Sequence, residues 1–375
     1  MDNFKDKHYF DYASTTPVKD NVLQAYINAC KDFYNPSALN ENSVRIKLNI
    51  ENARSEILTY FNAKPKSKLI FTSCASESNN AVLRSFIRRK DKNYIITMGE
   101  HSSIYNTAKA LINEGYNVNF APLKEDGTVN EEILYQMIDK NTDFLSLIHV
   151  SNETGAINDI KKIIKNVKLI NPNIVVHVDG VQAVGKIDVD LTNLGVDLYT
   201  FSGHKIGCVR GIACLYIACN IKYSPFILGG GQEMGLRSGT ENYAGIMALN
   251  EAVKSLKIKD YLSYKEAFLN SIKVPFKLIS SNNSVPNIIS IAFAETRGET
   301  IMHMLDDRGY IVGTGSACNS KDKTNRVLEA MGIDKVYSLG NLRISFDECD
   351  IEDIISLAEN INNVVEEYLQ KIKRK

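Results

Sequence analysis

The sequence predicts an α/β protein in which helices cover a mostly parallel sheet, followed by a smaller α+β body. Three observations carry this expectation. From about residue 40 to about residue 220, long amphipathic segments alternate with short apolar, β-branched runs, the rhythm of repeated βαβ units. Small, polar and glycine residues gather directly after those runs, where doubly wound sheets bind their ligands. Past Lys254 the alternation stops, and strands and helices follow in another texture.

The elements can be taken in order. A helix is expected over Asn42–Phe61, because Ile46, Ile50, Ala53, Ile57, Leu58 and Phe61 recur at helical spacing with charged and amide residues between them. Strand-like runs are predicted at Lys68–Thr72, Tyr94–Met98, Asn117–Ala121, Phe144–Val150, Ile174–Val178, Asp197–Phe201 and Ile212–Ile217. A helix is expected over Glu241–Lys257, then a helical stretch, strands in PFKLIS and PNIISIAF, a helix at Glu299–Asp307, the strand LRISF and a terminal helix from Ile351. The predicted division is a large cofactor-binding domain over 15–255 and a small domain made of 1–14 with 256–375, which carries the loop around Cys318. No tandem repeat or low-complexity linker interrupts it.

Composition excludes several function classes. Among 375 residues, Lys plus Arg and Asp plus Glu number 44 each, so no excess of positive charge is available to follow a nucleic-acid backbone. Seven cysteines without a CxxC pair suit neither a disulfide framework nor a structural metal site. Reduced thiols in a cytoplasmic protein are expected. MDNFKDKHYFDYAS has no apolar signal core, and no apolar stretch approaches the roughly 20 residues of a membrane span.

The chemistry is expected at the strand ends. Ser73-Cys74-Ala75-Ser76-Glu77-Ser78-Asn79-Asn80 precedes an apolar helix, an arrangement that serves equally as a helix cap or as a phosphate cradle. Gly99-Glu100-His101-Ser102, Ser151-Asn152-Glu153-Thr154-Gly155 and Asp179-Gly180-Val181-Gln182 follow later strands, and each alone could be a turn. Lys205 ends a buried strand behind a Ser-Gly-His turn. Such a lysine is either a surface residue whose stem lies along apolar groups, or a desolvated amine able to form a Schiff base with pyridoxal phosphate. In the second case Asp179 would hold the pyridinium nitrogen protonated. Cys318 stands in GTGSACNSKDK, between glycines and polar residues, the setting of an exposed loop. An exposed loop can carry an incidental cysteine or a reactive thiolate. The triplet Gly229–Gly231 is not a dinucleotide-binding GxGxxG.

Taken together, DYASTTPV, NPSA, FTSCASESNN, EHSS, SNETGAI, HVDGVQAVGK, FSGHKIG, GGGQEMGLRSGTEN, GTGSACNS and LRIS resemble the cysteine desulfurases of iron-sulfur-cluster assembly, pyridoxal-phosphate enzymes of the class V aminotransferase group. The resemblance runs from about residue 9 to residue 346. It implies an aspartate-aminotransferase-like large domain plus a small domain, working as a homodimer on L-cysteine. It also implies that Lys205 carries pyridoxal 5'-phosphate, that Asp179 pairs with the ring nitrogen, that Gln182 and Asn152 lie near the ring hydroxyl, and that His101 stacks on the ring. Ala75, Ser76, Ser202 and His204 match the phosphate-binding positions, with Thr240 completing the cup from the neighbouring subunit. Arg343 matches the substrate carboxylate site and Cys318 the persulfide-forming nucleophile, whose sulfur would pass to an iron-sulfur scaffold protein or a tRNA-thiolation enzyme.

Departures from the pattern are Cys74 and Cys208 at glycine positions, Ser76 for threonine, Val209 for proline, Ala213 for glycine and Asn40 for histidine. A positive φ at either cysteine would cost on the order of 1 kcal/mol and weaken cofactor binding. Two other readings stay open on the sequence: another reaction of the group, such as a selenocysteine lyase or an aminotransferase, and a weakly active protein that docks sulfur acceptors.

Overall fold

The computed structural model describes residues 8–315 and 325–373, so Cys318 lies outside the described residues. The chain begins with β1 (His8–Phe10), α1 (Asp20–Cys30), α2 (Glu41–Tyr60), β2 (Lys68–Thr72), α3 (Ala75–Phe86), β3 (Asn93–Thr97) and α4 (Ser102–Asn113). It continues through β4 (Asn117–Ala121), α5 (Glu131–Met137), β5 (Thr142–Ile148), α6 (Ile160–Ile170), β6 (Val175–Asp179), α7 (Leu191–Leu194), β7 (Leu198–Ser202) and β8 (Ala213–Ile217). Then come α8 (Tyr243–Lys254), α9 (Leu262–Ser271), β9 (Lys277–Leu278), β10 (Ile288–Ala292), α10 (Gly298–Asp306) and β11 (Tyr310–Val312). The chain closes with α11 (Arg326–Ala330), α12 (Lys335–Ser338), β12 (Asn341–Ser345) and α13 (Ile351–Lys373).

A seven-stranded sheet of order β2-β8-β7-β6-β5-β3-β4 forms the centre, parallel except for β8, which runs antiparallel to both β2 and β7. This is the predicted α/β class. Every residue of β7 and β8 is buried, as expected of strands covered on both faces and written as unbroken apolar runs. The covering helices bury one stripe each: Ile160, Ile163, Ile164 and Val167 on α6, and Ile46, Ile50, Ala53 and Ile57 on α2.

A second, three-stranded antiparallel sheet of order β12-β10-β9 packs with α9, α10 and α13 around Phe268, Ile291, Phe293, Leu305, Leu357 and Ile361. The N-terminal strand β1 pairs with β11, so the chain start lies against this C-terminal part. Asp11 then bridges to Ser345 at the end of β12.

The differences from expectation have physical causes. Helix α1 has no sequence signature because it buries only Val22 and Ala29 and leaves Leu23 and Ile27 exposed. Within PFKLIS only Lys277 and Leu278 pair, at the edge of their sheet and just past Pro275, which has no N–H to give a ladder. Helix α8 starts at Tyr243 because the Asn242 side chain caps it, accepting from Gly245 N at 3.0 Å. No helix among the described residues is long and apolar enough to cross a membrane.

Candidate active site

Strands β5, β6 and β7 run parallel and deliver their carboxyl ends to one edge. β6 and β7 each end one residue later than the sequence suggests, which makes Asp179 and Ser202 terminal strand residues. The turn after Asp179 admits only glycine, since a Cβ on Gly180 would lie 2.0 Å from the Tyr199 ring. After β7 a short 3-10 turn, Gly203–Lys205, carries the lysine out of the sheet. Helices α3 and α4 begin at the same edge, with Cys74 and His101 at their N-cap positions.

These ends enclose a cavity of about 700 Å³. Ala75, Ser76, His101, Asn152, Asp179, Gln182, His204, Lys205 and Arg343 all line it. Two described positions do not: Ser202 is buried in β7, and Thr240 borders a separate cavity with Arg237 and Glu233. Cys318 lies outside the described residues.

Asp179 is 2% exposed, and its two carboxylate oxygens accept from Asn79 Nδ2 at 2.9 Å and from Val181 N at 3.0 Å. Lys205 Nζ donates to the carbonyls of Ala13, at 2.6 Å, and Ser14. Burial pulls the Lys205 pKa down to about 7, aided by the nearby charges of Arg343 and Lys186. The amine is therefore partly neutral near pH 7, the form that attacks an aldehyde. Capture of an aldehyde by the cofactor-free protein should accelerate as pH rises through about 7 and level off above it. A rate still climbing tenfold per unit at pH 9, followed by stopped-flow absorbance, would show an ordinary lysine.

Arg343 projects from β12 with Nη2 on Asp11 Oδ1 at 2.8 Å and Nη1 on the Asn152 carbonyl at 2.9 Å, while its buried Nε has no partner. Gln182 donates Nε2 to the Ala13 carbonyl at 2.8 Å and keeps a buried Oε1 without one. Burial and the neighbouring Lys205 charge lower the His204 pKa to about 4, so that ring is neutral at pH 7. His101 faces the open cavity, yet desolvation in this concave site holds its pKa below the ordinary value.

Glu153 accepts from Asn152 Nδ2 at 2.6 Å and from Asn325 Nδ2 at 2.7 Å. Gly315 has φ +74, and a Cβ there would lie 2.1 Å from Glu153 Oε2. Both flanks of residues 316–324 thus meet at Glu153, on the cavity wall.

Some residues of the site were not singled out by sequence reasoning. Glu100 is fully buried, accepts from Ser146 Oγ at 2.9 Å, and has its carboxyl pushed well above the usual range by burial and then by Asp179. Arg326 donates to the carbonyls of Met98 and Glu100 and lies 4.0 Å over the Tyr105 ring. Asp11 and Asn79 steady Arg343 and Asp179. Glu100, Asn79 and Asp11 stand inside quoted motifs, but Asp11 and Arg326 meet partners 332 and 226 residues away, a pairing that no local pattern announces.

The strain expected at the unusual cysteines does not arise. Cys74 has φ −165, an extended conformation open to any residue, and Cys208 is not among the positive-φ residues, since Gly207 takes the left-handed position at φ +80. Cys208 is buried, and its thiol is pushed up to about 12.

The residues suit pyridoxal phosphate. A buried carboxylate would pair with a protonated ring nitrogen, a partly neutral amine with an aldehyde, and the first N–H groups of α3 with a phosphate. The unpartnered polar atoms of Gln182 and Arg343 sit on residues of the same wall.

The aminotransferase class-V family profile matches residues 8–354. The cysteine desulfurase IscS 1 of Archaeoglobus fulgidus is 33% identical, over 96% of this chain and 97% of its own length. Among solved structures, a NifS-like protein aligns with a TM-score of 0.89 at 31% identity, covering 96% of this chain and 99% of its own. SspA in complex with cysteine aligns with a TM-score of 0.81 at 30% identity, covering 90% and 98%.

Proposed function

We propose that this chain, which belongs to the class-V aminotransferase family and within it to the cysteine desulfurases, removes the sulfur of L-cysteine, releases L-alanine and collects the sulfur as a persulfide on Cys318. The observation that carries the reading is one cavity holding a lysine amine of depressed pKa, a buried aspartate and a buried arginine.

Pyridoxal phosphate, when bound, supplies an electron-withdrawing ring that accepts charge from the substrate's α-carbon. Asp179 would hold the ring nitrogen, and Ala75, Ser76 and His204 the phosphate, with Ser202 buried in β7 behind the cavity wall; Asn152, Gln182 and His101 would hold the ring. Arg343 binds the substrate carboxylate, a task that suits a planar guanidinium with Nε still unpartnered. Asp11, paired with Nη2 at 2.8 Å, keeps the guanidinium in place.

Lys205, once free, takes the proton from the α-carbon. The Cys318 thiolate then attacks the substrate sulfur. An S–S bond forms as the carbon–sulfur bond breaks, and the carbon keeps the electron pair and is protonated to alanine. A reduced, cytoplasmic setting is part of this reading, because the attacking group is a thiolate. The persulfide then passes to a sulfur-acceptor protein, an iron-sulfur scaffold or a tRNA-thiolation enzyme.

A homodimer completes the phosphate cup. Thr240 is supplied by the second copy, which is supported by its place outside the main cavity and by exposed Phe226, Leu228 and Met234 in the preceding segment.

Purified protein given L-cysteine and a reductant should yield alanine and sulfide in equal amounts. Asp179→Asn should keep part of the cofactor but lower alanine formation by more than tenfold, because an amide cannot stabilise the protonated ring. A loss below tenfold, about 1.4 kcal/mol, would mean that the electron sink does not depend on this residue.

A further inference from the structure

We propose that Asn79 and Ser103 are positioning residues that fix the exchangeable proton of His101 on Nε2, so that the ring meets the substrate as a proton donor. The inference rests on the reading that places His101 beside the reacting groups, and it adds which proton the ring holds and what keeps it there.

The argument follows hydrogen-bond direction along a chain of four residues. Asp179 as a carboxylate can only accept, so the Asn79 amide must present Nδ2 to it, at 2.9 Å. The second hydrogen of the same nitrogen points to Ser103 Oγ at 3.0 Å. Asn79 is fully buried, and its Oδ1 has no partner, so no competing acceptor role opposes this orientation. Having accepted from Asn79, the Ser103 hydroxyl has its one proton left for His101 Nδ1, 2.9 Å away. The backbone N–H of Ser103 also donates to Nδ1, at 3.2 Å, and makes His101 the N-cap of the twelve-residue helix α4. A backbone N–H has no other sense in which to bond. Nδ1 must therefore offer a lone pair, and the proton of the neutral ring belongs to Nε2.

Ionising this ring would place a proton on Nδ1, opposite two donors and the positive end of α4. Lys205 and Arg326 face His101 and disfavour that state, Asp179 and Glu153 favour it, and the neighbouring His204 ring, neutral at pH 7, adds no charge. Burial decides the balance for the neutral ring, the direction in which its pKa is moved. Because Nδ1 is committed to the helix and Nε2 is already protonated, the first proton His101 moves is one that it gives. A base toward the incoming thiol must be sought in another group.

The test is nitrogen-15 NMR of the cofactor-loaded protein with labelled histidine, the His101 signals being identified by their loss in His101→Gln. The expected result is an Nε2–H ring in the wild type, a detectable Nδ1–H fraction in Ser103→Ala, where the long 3.2 Å backbone bond is the one donor left to hold the tautomer, and the wild-type pattern in Ser103→Thr. Loss of the hydroxyl donor should also move the acidic limb of alanine formation upward by about half a pH unit or more, since the neutral ring loses a bond that favoured it. A wild-type ring protonated on Nδ1, or a Ser103→Ala protein matching the wild type in both tautomer and pH profile, would overturn the proposal. Turnover indifferent to a shifted tautomer overturns the donor role. A wild type with an Nε2–H ring that makes no alanine from L-cysteine overturns the desulfurase reading and leaves the proton assignment standing.

Discussion

Replacing Lys205 by alanine is expected to abolish both cofactor retention after dialysis and alanine production. Among the described residues lining the main cavity Lys205 is the only lysine. Its amine combines a depressed pKa with a position just past the end of a buried strand. Lys186, close enough to lower its pKa, lines a smaller cavity of about 90 Å³ behind it and cannot reach the main one as the chain is folded. Turnover should fall by more than about a thousandfold, some 4 kcal/mol of lost barrier reduction. The fold should survive, because the variant removes a charge that is desolvated and repelled by Arg343 and Lys186. Cofactor released by alkali after dialysis, with circular dichroism as the folding control, checks both. A Lys205→Ala protein that keeps its cofactor and half its activity would require another amine.

Replacing Cys318 by serine should separate binding from sulfur transfer. Alanine production under a reductant should collapse, since serine is a far weaker nucleophile toward sulfur and cannot hold a persulfide. Spectral changes on adding L-cysteine should persist, because no residue assigned to binding has been altered. Mass spectrometry of the wild type after exposure to L-cysteine should find added sulfur on the peptide around Cys318. Three of the other cysteines make poor rivals: burial pushes the thiols of Cys208 and Cys349 up to about 12 and that of Cys214 well above its ordinary range. Cys74, exposed on the wall of the main cavity, is the informative control. Sulfur found mainly at Cys74 would move the acceptor role to the start of α3.

Legibility in the sequence followed the range of the interactions. Strands such as Lys68–Thr72 and Asn117–Ala121 were readable to the residue because their apolar content and flanking turns are local. Asp179 and Lys205 were readable as strand-end residues, and the resemblance supplied their roles. The pair Asp11–Arg343 was not readable, since it joins the start of the chain to its last strand. Arg326 was missed for the same reason: its acceptors are the backbone carbonyls of Met98 and Glu100, and a carbonyl leaves no mark in a sequence. The link from Asn79 to Ser103 joins two helix starts that only the parallel order of the sheet brings together.

The junction at Glu153 sets a tether. Gly315 is held on the cavity wall, and three peptide units separate it from Cys318, so bond geometry alone keeps the two Cα atoms within about 11 Å of each other. Covalent linkage alone therefore confines Cys318 to a small volume around that wall, which corresponds to an effective concentration on the order of millimolar or above. The same radius limits delivery. If the persulfide passes on as proposed, an acceptor would have to bring its receiving group to the rim of this cavity, near Asn325 and the Glu153 turn.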